Sequence, residues 1–211
     1  MIDKSAPLND DESVRAEVAI LRRLRHASIV GLVEVFDARQ KLWIVMECCA
    51  GGELLAELCK HDHGWTAEHA ARASRQLLGA VSATPTRPRV ADEAEAVPPS
   101  QVSYIHERGV VHRDIKLPNL LLTHASMEHG DVKLADFGLA AAIASAEYSA
   151  ATPARRKAWA GIVGEAYWGT PLTMAPEVMR DDAAYGPQCD VWSCGTVVHA
   201  LLSGYGARRR G

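Results

Sequence analysis

Between Val110 and Gly138 the chain sets polar clusters against very short apolar runs. Val110-Val111 and Leu120-Leu121-Leu122 flank the polar stretch His112-Arg113-Asp114-Ile115-Lys116-Leu117-Pro118-Asn119, and Val132-Lys133-Leu134-Ala135 returns after a turn at His129-Gly130-Asp131 and ends on Asp136. Runs this short and this apolar read as buried strands. An Asp, an Asn and a Lys cannot be buried unpaired, so they belong at the strand ends, where they meet at the edge of a core. A chain that folds this way presents carboxylate, amide and ammonium groups together at one rim.

The rest of the sequence supplies that core. Of 211 residues 48% are hydrophobic and 23% charged, which suits one globular domain. Lys and Arg number 23 against 26 Asp and Glu, so no basic excess favours nucleic acid, and none is expected as a partner. No apolar run approaches the roughly 20 residues of a membrane helix, and the charged start MIDKSAPLNDDE is unlike a signal peptide. A cytoplasmic or nuclear location without membrane contact is the expectation. Cys48, Cys49, Cys59, Cys189 and Cys194 form no CxxC pair and read as reduced thiols.

Val14, Val18, Leu21 and Leu24 recur at helical spacing behind Asp10, Asp11 and Glu12, and Glu17 falls on the inward stripe, where a charge needs a partner. Ile29 to Phe36 and Leu42 to Met46 read as a hairpin, and the small sheet ends at Glu47. After the connector Cys48-Cys49-Ala50-Gly51-Gly52, helices are expected over Glu53 to Lys60 and Thr66 to about Val81. Residues 82–101 hold four prolines and no apolar period, and read as a disordered excursion from a helix that resumes at Val102. A loop spans Ala144 to Pro171, a helix Pro187 to Ser203, and no internal repeat is present.

The polar stretch, Asp136-Phe137-Gly138 and Ala175-Pro176-Glu177 resemble, in that order, the HRDxKxxN, DFG and APE motifs of eukaryotic protein kinases. The resemblance covers most of the chain. Glu17 matches the αC helix, Met46-Glu47-Cys48-Cys49 the gatekeeper and hinge, Asp190-Val191-Trp192-Ser193 the helix under the active site, and Leu21, Leu32, His112 and Phe137 the stacked residues that link the lobes. It implies an α+β, protein kinase-like two-lobe fold with an incomplete small lobe over 1–47 and an incomplete helical lobe over 48–211. The implied reaction is ATP-dependent phosphorylation of protein Ser/Thr hydroxyls. Asp114, Lys116 and Asn119 would be catalytic, with Asp114 as base and Lys116 on the phosphate. Met46, Glu47, Cys49, Glu53, Leu121 and Asp136 would bind ATP, and Asn119 with Asp136 would hold Mg²⁺ through hard oxygen donors.

Lys116 and Gly169-Thr170-Pro171 resemble the serine/threonine branch, and Gly51-Gly52-Glu53 resembles the segment after the hinge in calmodulin-dependent kinases. Arg113 before Asp114 implies an activation loop ordered by phosphorylation and so an upstream activating kinase. Ala166 stands where relatives place a Thr, which leaves three readings: Glu165 as a phosphate mimic, Thr152, Ser149 or Ser145 as acceptor, or no role for any of them. His61-Asp62-His63 reads as a polar helix end rather than a metal site.

Two departures from the family pattern stand out. No Gly-rich loop or VAIK-type Lys precedes Glu17, and Lys4 is too late to replace it, so the resemblance implies a chain truncated at both ends. Removing Val81 to Gln101 joins Ala80 to Val102 as one helix. Val codons begin GT and one Gln codon is CAG, which suggests a translated intron; a genuine family-specific insertion is the other reading. The rival to catalysis is a non-catalytic, pseudokinase-like binding or scaffold fragment.

Overall fold

The structure, a computed structural model, describes residues 2–3, 11–38, 41–61, 65–78, 101–125, 130–142, 170–179 and 186–204. Helix α1 (Asp11–Arg23) turns Val18, Ile20 and Leu21 inward, as the helical period requires. It is followed by β2 (Leu32–Asp37) and β3 (Lys41–Met46), and β3 also pairs with β1 (Ile2–Asp3), giving the antiparallel order β1-β3-β2. The expected strand from Ile29 to Phe36 splits at Gly31. Ile29 bridges in parallel to Leu134, with Val30 N–H donating to Leu134 O at 2.9 Å and Leu134 N–H to Ser28 O at 2.9 Å. Gly31 takes its own bonds from Glu47, which frees β2 to start at Leu32.

A second sheet has the order β4-β6-β7, from Gly52–Glu53, Leu120–Leu122 and Val132–Leu134. The paired glycines before it answer two different constraints. A Cβ on Gly51 would collide with the carbonyl oxygen of His124, whereas Gly52 has φ 73°. The third pairing, β5 (Val110–Val111) with β8 (Ala141–Ala142), was not visible in the sequence, because two alanines carry no strand signal.

Helices α2 (Leu54–Leu58), α3 (Ala67–Leu78), α4 (Gln101–Glu107) and α5 (Gln188–Ser203) complete the described fold. One apolar cluster runs from Ile20 and Leu21 on α1 through Leu77 on α3 and Ile105 on α4 to Val197 and Leu201 on α5, takes in Leu120, Leu122, Val132 and Leu134 of the second sheet, and has Leu32, Ile44 and Met46 of the first packed against it. Both sheets therefore share a single core. None of the described helices is long and apolar enough to cross a membrane.

The interrupted helix is closed by one strand residue. Val132 donates its N–H to Gln76 Oε1 at 2.9 Å and accepts from Gln101 Nε2 at 2.6 Å. The N–H and C=O of one strand residue point the same way, so the two glutamine side chains, one from α3 and one from α4, reach the same edge of β7. Positions 76 and 80 of a continuous helix, one turn apart, would face that edge together. Deleting residues 80–100, which puts Gln101 in the place of Ala80, should keep cooperative urea unfolding with a stability within about 1 kcal/mol of the parent or above it. Loss of the cooperative transition would contradict this register.

Candidate active site

Helix α5 places Asp190 in the interior with no solvent exposure, beneath the polar stretch. Its Oδ2 accepts from the His112 backbone N–H at 2.8 Å and from His106 Nε2 at 2.8 Å, and its Oδ1 accepts from the Arg113 N–H at 2.8 Å. Burial alone would raise its pKa; the bond and charge of His106, with the His112 backbone donor, outweigh it and hold Asp190 below the usual carboxylate value, as the ionised acceptor. This anchoring sustains a strained backbone, since Arg113 has φ 68°. Ser193, on the same helix, donates to Thr173 O at 2.8 Å and so fixes the turn that begins at Thr170.

His112 is fully buried, 4.8 Å from the Phe137 ring. Its Nδ1 receives the Asp114 N–H at 3.3 Å and its Nε2 faces the Ala135 carbonyl at 3.1 Å. An amide must donate and a carbonyl must accept, which assigns the neutral imidazole with hydrogen on Nε2. Burial also pushes its pKa down.

Above this layer Asp114, only 5% exposed, gathers four contacts. Lys116 Nζ lies 2.6 Å from its Oδ2, and Asn119 Nδ2 donates to that oxygen at 3.1 Å and to the Asp114 carbonyl at 2.9 Å. The Thr170 hydroxyl donates to Oδ1 at 3.0 Å while accepting from Lys116 Nζ at 3.0 Å. The three residues read as catalytic thus meet in one cluster, on the short 3₁₀ turn Leu117–Asn119 and the loop before it.

Ala135 N–H donates to Asn119 O at 2.9 Å, so Asp136 emerges next to this cluster. Asp136 has φ 61°, and its exposed carboxylate accepts from Gly138 N–H at 3.3 Å. A Cβ on Gly138 would lie 3.2 Å from Asp136 Oδ1 and 3.7 Å from Glu17 Oε2, so the two carboxylates converge there. Burial, and then repulsion from Asp136, raises the Glu17 pKa. Asn119 spends its Nδ2 on Asp114 and keeps its amide oxygen as an acceptor. An exposed carboxylate and an amide oxygen form a donor set that suits Mg²⁺, which keeps much of its water and takes few protein ligands.

The residues assigned to the nucleotide lie along the strands leading to this cluster. Met46 ends β3 and Glu47 follows. Across the second sheet Glu53 is registered opposite Leu121, and Leu121 opposite Lys133, so these three share one face. Glu47 Oε1 is ion-paired with Lys133 Nζ at 2.5 Å, its Oε2 accepts from Gly31 N–H at 3.2 Å, and its own N–H donates to Gly31 O at 2.8 Å. The bond from Lys133 lowers the Glu47 pKa against the opposing effect of burial. Cys49 is half-buried, and burial, with Glu47 beside it, raises its thiol pKa.

Sequence reasoning did not assign a role to the Glu47 side chain, to Lys133 or to the Thr170 hydroxyl, and placed Asp190 only by resemblance. The sole signal for Lys133 was a charge inside an otherwise apolar strand. All five cysteines are free thiols, as read. Lys4, Asp62, His63, the segment 82–100, Ser145, Ser149, Thr152, Glu165 and Ala166 lie outside the described residues.

Fold and cluster together define a kinase-type α+β protein. The comparisons are more specific. The family model described as protein kinase domain matches residues 1–84 and 99–208, and the chain belongs to that family. It is similar to CBL-interacting protein kinase 16 of Oryza sativa subsp. japonica, 36% identical over 194 residues that cover 92% of this chain and 34% of that protein. CBL-interacting protein kinase 25 of the same organism is 38% identical over 205 residues, 96% of this chain and 33% of that protein. Calcium/calmodulin-dependent protein kinase type 1 of Caenorhabditis briggsae is 34% identical over 204 residues, 97% and 46% respectively. The chain thus spans between about a third and a half of the length of these relatives.

Replacing Asp190 by Asn turns one acceptor oxygen into a donor facing a buried N–H, and urea unfolding should show a loss of about 3 kcal/mol. The lowered His112 pKa sets a pH dependence. Above about pH 6.5 neither folded nor unfolded chain binds the proton and stability is complete; as pH falls from there toward the lowered folded value, only the unfolded chain takes it up. Stability should then fall by up to about 1.4 kcal/mol per pH unit. Urea midpoints of the parent and His112→Gln at about pH 7.5 and 5.5 test this, the variant having the shallower dependence.

Proposed function

We propose that this chain carries the catalytic segment of a serine/threonine protein kinase, transferring the γ-phosphoryl group of ATP to a protein hydroxyl. The observation that carries the reading is the Thr170 hydroxyl, which donates to Asp114 and accepts from Lys116. A substrate Ser or Thr hydroxyl needs the same two partners: a carboxylate to take or orient its proton and a cation for the charge on the transferring group. Asp114 fills the first role and Lys116 the second.

Asn119 and Asp136 are the residues that would hold Mg²⁺, which supplies charge neutralisation for the phosphates. Glu47 offers its carbonyl and Cys49 its backbone N–H toward adenine, over a floor at Leu121, with Met46 behind and Glu53 at the ribose. Glu17 would face the phosphates across Asp136. We read residues 1–47 as part of the small lobe, 48–211 as part of the helical lobe and 82–100 as an insert; Gln101, expected in the excursion, instead opens α4 and is buried against Val132. The family match, which passes over residues 85–98, is in keeping with the insert.

The relatives' names describe kinases that are CBL-interacting or calcium/calmodulin-dependent. For this chain the corresponding reading is control by a regulatory protein partner and an upstream kinase, in the cytoplasm or nucleus.

Transfer of labelled γ-phosphate to a Ser-containing peptide tests the reading. Asp114→Asn should lower the rate by about 10²–10⁴-fold while leaving Mg·ATP binding intact. A parent chain stabilised by about 2.7 kcal/mol at a hundredfold excess of Mg·ATP over Kd, yet inert toward peptides, would replace catalysis with a nucleotide-binding scaffold.

A further inference from the structure

We propose that the side chain of Glu47 is a positioning residue: with Lys133 and Gly31 it fixes the backbone of residues 46–49 over the face that carries Leu121. The inference rests on the nucleotide reading of that segment given above.

Three separate pieces of chain meet at this one carboxylate. Gly31 and Glu47 exchange two bonds, the Glu47 N–H to Gly31 O and the Gly31 N–H to Glu47 Oε2, which locks the entry to β2 against the exit from β3. Lys133 holds the other oxygen. Its side chain is only 11% exposed, while that of Glu47 is 39% exposed, so Lys133 is the member that depends on the pair. A mostly buried ammonium without its carboxylate must move or shed its charge. Lys133 stands opposite Leu121 in register, on β7, which ends at Leu134 two residues before Asp136. Rotation of the connector relative to β7 would therefore shift residues 46–49 away from Leu121 together with the approach to Asp136. The carboxylate acts at a distance from any reacting atom, through the backbone it holds.

The expected signature separates the charge from the bond to Gly31. In the nucleotide-free chain, hydrogen exchange at the Gly31 amide should quicken about tenfold in Glu47→Ala and stay near the parent in Glu47→Gln, whose amide oxygen still accepts. Mg·ATP titrations should give a Kd raised about 5- to 20-fold in Glu47→Gln, Glu47→Ala and Lys133→Met, with no further loss when Glu47→Gln and Lys133→Met are combined. In peptide phosphorylation KM for ATP should rise by the same factor with kcat within about twofold. Arg72→Ala, which breaks an exposed pair with Asp131 at the start of the same strand, should change neither affinity nor exchange at Gly31. A parent chain that binds Mg·ATP with an affinity the Glu47 and Lys133 variants retain overturns this proposal alone. A parent chain that binds no Mg·ATP overturns the nucleotide reading and the proposal with it, whatever the exchange rates.

Discussion

Asp190 is an ionised group without solvent, and its two oxygens accept from an imidazole and two consecutive backbone amides. Such a charge is tolerable only while every donor stays in place, and those donors belong to α4 and to the loop entering the Asp114 cluster. The carboxylate therefore fixes the path of His112 and Arg113, including a left-handed residue that would otherwise relax. Asp114 inherits its position from that path. Ser193, one turn further along α5, fixes the Thr170 turn from the same rigid helix, so both partners of the hydroxyl cluster are referred to one element.

The strand before Asp136 distributes that order through the molecule. Val132 is held by glutamines from both halves of an interrupted helix, Lys133 by Glu47, Leu134 by the backbone of Ser28 and Val30, and Ala135 by Asn119 and His112. Each successive residue ties a different part of the chain to the same short strand. Asp136, next in line, is exposed and left-handed, yet its approach is fixed by four consecutive anchored residues. This is how a carboxylate can be both accessible and preorganised.

Much of this was legible in the sequence. The amphipathic period of α1, the hairpin and the order of the three motifs placed most elements and drew Asp114, Lys116, Asn119 and Asp136 to one rim, because short apolar runs leave polar residues nowhere else to go. What stayed hidden depends on partners far apart in the chain. Nothing in the local pattern says that Glu47 reaches Lys133, that Gly31 spends its bonds on Glu47 and so divides an apparently continuous strand, or that Ala141 and Ala142 pair with Val110 and Val111. Gly51 and Gly52 read only as part of a short connector, whereas one is demanded by close backbone approach and the other by its dihedral angle. Register and side-chain reach decide such features, and neither follows from periodicity.

The seating of α3 and α4 on a single residue has a topological corollary. Two chain segments seated on the same strand residue can be joined by linkers of very different length at little difference in loop-closure entropy. The same property makes this the natural place to open the chain. New termini created between Leu78 and Gln101 would fall outside every strand pairing described, and halves separated there would carry complementary faces of one core. For this fold the junction between α3 and α4 is thus a seam, and the residues that gather around Asp114 all belong to the half that follows it.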